Sequence, residues 1–415
     1  MDRPRKNLGT DSRIDYALIL PVFLLSLIGF VALSLSLFAD YPSQASNMLW
    51  QQAAWLLVGM AAAFFVMHLD SKMLWNLAPI LYVVGLLLML LPVFFYSPSL
   101  YAQTGAKNWI AFGTTPLFQP SELMKVAYTL FLARLIVNYR SKIKQRTLLN
   151  DGDLILRMFL ATLPIIVILL GLQNDFGTLL VFLAIFAGML LVSGISWRIL
   201  APVILVFGLL LALLVFFVIS PQGQQVLHAL GFKAYQSARF EAWLHPFSDP
   251  QGTTYQQAQA LISTGIGGIF GTGTKVTNIA VPVRESDMIF TVIGGGAGFI
   301  GAAIVILLYL FLIYRMVRAT SKAKNSFYVY IAAGLTMMLL FHVFENIGAT
   351  IGILPLTGIP LPFISQGGSN LISNMIGIGL MLSIQYNKMP MFNNKKTRDK
   401  YRKKLAQRIE KQSSR

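Results

Sequence analysis

Hydrophobic stretches long enough to cross a lipid bilayer recur along almost the whole chain, and that recurrence leaves very few folds open to it. A helix needs about 20 apolar residues to traverse roughly 30 Å of hydrocarbon. Ten runs of that order occupy 16–38, 48–68, 74–96, 121–139, 157–173, 175–194, 197–220, 287–317, 327–351 and 369–386. The expected fold class is therefore an all-α polytopic membrane protein with about ten transmembrane helices. Only Asn174 separates the fifth and sixth runs, so the sequence leaves open whether they form one helix or two. The first run is a full-length span without a small-residue cleavage site, which argues against a removable signal peptide. Composition agrees: 12% of residues are charged, against roughly 25% in a soluble domain.

The formal charge of +17 follows this layout. Basic residues gather in Arg3–Arg13, Arg134–Arg157, Arg315–Lys324 and Lys388–Arg415. With ten spans these segments share one side, which the positive-inside rule assigns to the cytoplasm. Both termini are expected there, as tails 1–15 and 387–415 flanking a membrane domain over 16–386. The run Lys395–Lys404 reads as a topology anchor drawn to anionic lipid, so membrane lipid is an expected partner and nucleic acid is not. The absence of cysteine excludes disulfides and thiolate chemistry, and four histidines without ligand spacing leave little material for a zinc site.

Polar residues collect on the opposite face. The longest polar stretch, 221–286, is expected to form a large extracellular loop between the seventh and eighth helices. Ionisable residues also interrupt spans near the same side: Glu122 and Lys125, Asp175, Asp287 and Glu345. Charges at membrane depth are costly and usually face a bundle interior or wet cavity, so together they suggest one outward-facing polar cavity. Each also has a structural reading. Glu122 and Lys125 stand three apart and suit an ion pair; Asp175 and Asp287 suit helix N-termini; Glu345 could pair with His342. Gly265–Gly273 lacks the Gly-Lys-Ser/Thr ending of a phosphate loop and reads as a tight backbone path. Gly294, Gly295, Gly296, Gly298 and Gly301 suit close helix–helix packing.

An outward site has no ATP, so a reaction there requires a substrate that arrives activated. Asp249, beside Pro250 and Gly252, is the candidate general base for a hydroxyl whose partner carries a good leaving group, such as a lipid pyrophosphate. Arg239 and Lys275 could receive phosphate oxygens. The structural alternative is that Asp249 merely shapes an Asp-Pro-x-Gly turn.

Gly105-Ala-Lys-Asn-Trp109, Gln119-Pro-Ser-Glu122 with Lys125, and Gln173-Asn-Asp-Phe-Gly-Thr178 form an ordered series of motifs. Trp243-Leu-His-Pro246, Asp249-Pro250, Tyr255-Gln256, Ser286-Asp-Met-Ile-Phe290 and Leu356–Ser365 continue it, followed by Gly367-Gly-Ser369. In this order and spacing the chain resembles the SEDS family, whose members include RodA, FtsW and SpoVE. The resemblance implies a polymerase that joins lipid II disaccharides into peptidoglycan glycan strands during cell-wall elongation. It places Asp249 in the catalytic position. Lys107, Trp109, Glu122, Lys125, Asp175, Arg239, Tyr255, Gln256, Asp287 and Ser365 become substrate-binding candidates. It also implies a class B penicillin-binding protein, with other elongation-complex membrane proteins, as partners; the metal question stays open between none and a divalent cation such as Mg or Mn. The Val281–Phe290 segment and Gln366 resemble RodA members from Gram-positive bacteria.

The chain departs from the family where Val283 and Glu285 replace the usual residues before Asp287, and where Gly294–Gly296 replaces an acidic pair. The second departure leads to the expectation that acids placed at Gly295 and Gly296 preserve or raise activity. A lipid II flippase and a catalytically weak scaffold are the alternative functions. A flippase needs polar groups through the whole membrane depth, and the cytoplasmic half of the chain lacks them outside its basic loops.

Overall fold

The computed structural model describes residues 14–387 apart from 99–100, 103–104, 113–114, 144, 146, 221, 224–225, 227–233 and 323–324. The basic runs Arg3–Arg13 and Lys388–Arg415 lie outside the described residues. The elements in order are α1 (Tyr16–Asp40), α2 (Ala45–Met67), α3 (Ser71–Phe94), β1 (Ile110–Phe112), β2 (Thr115–Phe118), α4 (Pro120–Lys142), α5 (Leu148–Ile166), α6 (Phe176–Val192) and α7 (Trp197–Ile219). Then follow α8 (Ala234–Leu244), α9 (Tyr255–Ile266), a 3₁₀ turn (Gly273–Asn278), α10 (Ile289–Lys322), α11 (Ser326–Thr350) and α12 (Gly368–Tyr386). β1 and β2 pair antiparallel as a small two-stranded ribbon just before α4.

Helices cover all ten apolar runs, as expected where backbone groups cannot turn to water. Seven described helices are long and apolar enough to cross a membrane: α1, α2, α3, α5 with its continuation to Gln173, α7, α10 and α11. α6 is apolar but only 17 residues long. α4 and α12 bury polar side chains, among them Glu122, Lys125, Asn370 and Asn374. The fifth and sixth runs are two helices. α5 widens into a π-helical turn over Val167–Gln173, Asn174 takes the left-handed conformation (φ 57°), and Asp175 caps α6 by accepting from the Thr178 amide at 3.0 Å.

α11 is the most buried of the candidate spans and packs on α4, α6 and α10, while α2 lies along α12 and α3 along α4. α1 is tied to α10 and its entry loop at both ends. Asp15 meets Arg315 at 2.5 Å, and Asp40 meets Arg284 at 2.5 Å.

The first glycines of α10 serve helix–helix contact: Gly294 faces Thr264 and Gly295 faces Ser263 O, both on α9. Beyond them α10 runs beside the glycine-rich segment after α9, backbone against backbone. The Thr272 amide donates to Gly295 O at 2.9 Å, and the Phe299 and Ile300 amides donate to Gly268 O and Ile269 O at 2.8 and 3.2 Å. The last two bonds are possible because α10 breaks at Gly298 (φ 65°, ψ −163°), which frees those amides from the helical ladder. A Cβ on Gly267 would lie 2.1 Å from Gly294 O, and one on Gly271 would lie 2.1 Å from Gly296 O. An irregular segment beside an apolar helix thus keeps its polar backbone satisfied.

This contact overturns the expectation that acids fit at Gly295. A Cβ there would stand 2.5 Å from Val276 Cγ2 and 2.6 Å from Ser263 O, whereas Gly296 has ordinary clearance of 3.4 Å. Overpacking of this kind costs about 1–3 kcal/mol. Gly295→Glu is expected to lower the unfolding temperature in detergent distinctly more than Gly296→Glu. Equal shifts in a thermal-unfolding series would contradict the packing argument.

Candidate active site

α4 begins with Pro120 at its first position, and the phase this sets turns Glu122 and Lys125 inward, one helical turn apart. Their side chains are 4% and 2% exposed, with Lys125 Nζ 2.8 Å from Glu122 Oε2. Nζ also lies 2.9 Å from His342 Nε2. His342 Nδ1 sits 2.8 Å from Met338 O, which can only accept. Nδ1 therefore carries the ring proton, and Nε2 accepts from the ammonium. Asn370 donates to Glu122 Oε2 at 3.3 Å and Ser373 to Glu122 O at 2.6 Å. The expected Glu345–His342 pairing is thereby corrected: the histidine ring is engaged by Lys125 and Met338.

Leaving Glu122 without its cation strands a charge in an apolar bundle, a loss of about 3–5 kcal/mol for buried pairs. Lys125→Met is expected to destabilise by that order, and Lys125→Met with Glu122→Gln to recover part of the loss. A double-mutant cycle on thermal unfolding tests this, and strict additivity would contradict it.

A second polar group joins this one through Gln119. Asp175 Oδ2 accepts from Asn108 Nδ2 at 2.7 Å, Thr178 Oγ1 at 2.8 Å and Gln119 Nε2 at 3.5 Å. The Gln119 amide donates to Ser369 Oγ at 3.1 Å. Lys107 joins by its backbone, donating to Gln173 O at 2.7 Å, while its Nζ lies over the Tyr96 and Tyr101 rings at 4.4 and 5.2 Å. Trp109 is half-buried immediately before β1.

Asp287, Glu345 and Arg239 form a third group around Thr357. Arg239 Nη1 donates to Thr357 O at 3.2 Å and lies within electrostatic reach of both carboxylates. Asp287 Oδ1 accepts from Ser286 Oγ at 2.8 Å, and Asn346 Nδ2 donates to Asp287 O at 2.8 Å. α10 starts only at Ile289, so Asp287 belongs to the loop before it rather than opening the helix. Ser365 serves the backbone: Oγ donates to Ser286 O at 2.7 Å and accepts the Leu361 amide at 2.8 Å. Tyr255 and Gln256 likewise donate to Ala280 O and Pro282 O, at 3.1 and 3.3 Å.

Asp249 stands apart from these clusters, exposed on the loop between α8 and α9. Oδ2 accepts from the Thr253 amide at 2.7 Å and from Thr253 Oγ1 at 3.2 Å. A Cβ on Gly252 would fall 2.2 Å from Oδ2, so glycine there leaves room for the carboxylate. The turn-shaping role is real, and it fixes Oδ2 while the residue stays exposed. His245 and Lys275 are exposed as well. The hydrogen bonds group these residues into two clusters joined through Gln119 and a third around Thr357, whose carbonyl would lie 2.8 Å from a Cβ on Gly177, between Asp175 and Thr178; Asp249 stands on the loop.

Among the described residues no three His, Asp or Glu side chains come together to hold a metal ion, and no step is assigned to one. Asp40, Arg284 and Asn370 were not singled out by sequence. A usable signal existed for Asn370 and Asn374, two amides four apart in an apolar run.

Burial pushes the Glu285 carboxyl up, and the charges of Asp40 and Asp287 push it further. Burial raises Asp287 too, against the Ser286 hydrogen bond and the Arg239 charge, which lower it. A carboxyl raised in the folded state binds its proton more tightly there than when unfolded. Its stabilisation is complete below the ordinary carboxylate range and is lost as pH rises through the raised values. The unfolding temperature of Glu285→Gln/Asp287→Asn is expected to change less with pH just above that range than the parent's. An unchanged pH dependence would contradict the assignment.

A many-helix membrane bundle with ionisable residues paired inside it, and a carboxylate poised on a long loop, defines a class of polytopic membrane proteins. Residues 15–389 match the Cell cycle protein (FtsW/RodA/SpoVE) family model, and the chain belongs to that family. It is 30% identical over 368 residues to peptidoglycan glycosyltransferase MrdB of Escherichia coli, covering 88% of this chain and 92% of that one. It is 31% identical over 385 residues to the probable peptidoglycan glycosyltransferase FtsW of Alkalilimnicola ehrlichii, covering 90% of each. Among solved structures, Thermus thermophilus rod shape determining protein RodA superposes with a TM-score of 0.62 at 26% identity, covering 93% of this chain and 100% of that one. A chain from a study of polymerization and crosslinking by a peptidoglycan synthase complex superposes with a TM-score of 0.69 at 29% identity, covering 90% and 97%.

Proposed function

We propose that this protein is a peptidoglycan glycosyltransferase that polymerises lipid II into β-1,4 glycan strands at the outer membrane face, for cell-wall elongation and cell shape. The observation that carries the mechanism is the Asp249 carboxylate, exposed on its loop with Oδ2 fixed by Thr253. The GlcNAc 4-hydroxyl oxygen of one lipid-linked unit bonds to the MurNAc anomeric carbon of the other. The hydroxyl proton passes to Asp249, the bond from that carbon to the pyrophosphate oxygen breaks, and undecaprenyl pyrophosphate leaves with the electron pair. Attack from the opposite face turns α into β. Arg239, with a partner carbonyl in Thr357, is the cation we assign to the departing phosphates.

Asp249→Asn keeps an oxygen for the Thr253 amide and removes the base. It is expected to fold normally and to lose roughly 10²–10⁴-fold in polymerisation rate. The assay is glycan polymer formed from labelled lipid II in the presence of moenomycin. A near-parental rate would sink the assignment, and absence of polymer from the parent with every partner added would favour a flippase or scaffold.

The bundle has ten spans in this reading, with both termini cytoplasmic and 221–286 outside; the one-sided basic residues support it. Ser248 and Ser141 are both exposed, and this reading puts them on opposite sides. In this cysteine-free chain, Ser248→Cys in intact cells should react with an impermeant thiol reagent and Ser141→Cys should not. The partner is a class B penicillin-binding protein, a reading supported by the synthase complex named for the second solved structure. The Val281–Phe290 segment supports placing the chain with RodA-type members of Gram-positive bacteria.

A further inference from the structure

The loop entering α10 is anchored more heavily than a surface turn requires. Arg284 is 2% exposed and binds Asp40 through two bonds, Nε to Oδ2 at 2.5 Å and Nη2 to Oδ1 at 2.6 Å. Nη1 adds Ile279 O at 2.9 Å and Thr277 O at 3.4 Å. This one guanidinium thus joins the end of α1 to two carbonyls of the loop. Beside it, Tyr41 donates to Glu285 Oε1 at 3.4 Å.

The preceding residue is strained. Val283 holds φ at 55°, a left-handed conformation that costs a β-branched residue on the order of 1–3 kcal/mol and persists only where surroundings enforce it. Val283 is 45% exposed, so little packing holds it there. Its carbonyl accepts the Ser286 and Met288 amides at 3.1 and 3.3 Å, closing the turn that carries Asp287. On the other side, Tyr255 and Gln256 hold Ala280 O and Pro282 O, and Ser365 holds Ser286 O.

We infer that Arg284, braced on Asp40, is a positioning residue for the polymerisation reaction: it holds the strained Val283 turn so that Asp287 faces Arg239. The inference rests on the reading that Asp287 and Arg239 belong to the polymerising site. Without the clamp, Val283 relaxes towards negative φ and rotates the four-residue turn that ends at Asp287. A displacement of about 1 Å in a site costs up to ~10²-fold in rate.

The test uses the full chain in proteoliposomes with labelled lipid II. Arg284→Ala is expected to lower kcat by roughly 10²-fold with KM within about threefold. Asp40→Asn leaves the guanidinium its carbonyl bonds, so a smaller loss in the same direction is expected, and this milder variant keeps the test alive if Arg284→Ala folds poorly. The diagnostic variant is Val283→Gly. Glycine adopts φ near 55° without strain, so Val283→Gly alone should retain parental activity, and Val283→Gly/Arg284→Ala should regain about tenfold over Arg284→Ala. A purely structural role for Arg284 predicts no such rescue, because a further glycine loosens the fold. Parental kcat in Arg284→Ala, or no recovery in a folded double variant, overturns the inference. Asp287→Asn separates the two readings: parental activity there removes the site assignment itself, whereas an inactive Asp287→Asn beside a fully active Arg284→Ala removes only the clamp.

Discussion

The bundle is organised around a lysine ammonium that has no access to water. Lys125 is 1% exposed, and an ammonium taken out of water costs several kcal/mol unless a counter-charge and acceptors meet it. Glu122 supplies the charge from the same helix, and His342 supplies an acceptor from α11. Asn370 and Ser373 of α12 then satisfy Glu122. Three helices are fixed in rotation and depth by one cation, with a directionality that apolar packing lacks, since lipid tails compete equally for apolar faces.

The same rule operates at the rims. Arg284 grips Asp40 through Nε and Nη2, and Arg315 Nη2 bridges both oxygens of Asp15, at opposite ends of α1, so α10 and its entry loop cannot slide along that helix. Where no side chains are present, backbone does the work. The 267–272 segment and the broken α10 exchange amide–carbonyl bonds across glycines that admit no Cβ. What looks in sequence like a lost acidic pair is a surface shaped for a close-lying chain. The proposed chemistry depends on this rigidity, because Asp249 lies on a loop while Asp287 and Arg239 must be presented to the same substrate from different elements.

Much of this was legible in the chain. Apolar runs of about 20 residues specify helices because hydrocarbon offers no other partner for the backbone. Pro120 announced the start of α4, and the spacing of Glu122 and Lys125 announced their pair. Asp175 was readable as a cap, and the order of motifs was enough to point to the family. These are local properties, set by hydropathy, helical period and capping chemistry within a few residues.

Tertiary structure decided which distant groups meet. Lys125 and His342 lie 217 positions apart, and Asp40 and Arg284 lie 244 apart. Nothing in the helical period chooses between His342 bonding Lys125 and His342 bonding Glu345; helix rotation and depth do. The glycines at 294–298 look alike in sequence, and only the packed structure shows that Gly294 and Gly295 face α9 while Gly298 faces the segment after it. The strain at Val283 is equally invisible, because a valine is placed at positive φ by its surroundings and never by its own preference. Sequence therefore determined the helices, their burial of charge and the family, while folding in three dimensions determined the partners, since desolvated charges and amides bind whatever the packed bundle brings within hydrogen-bond reach.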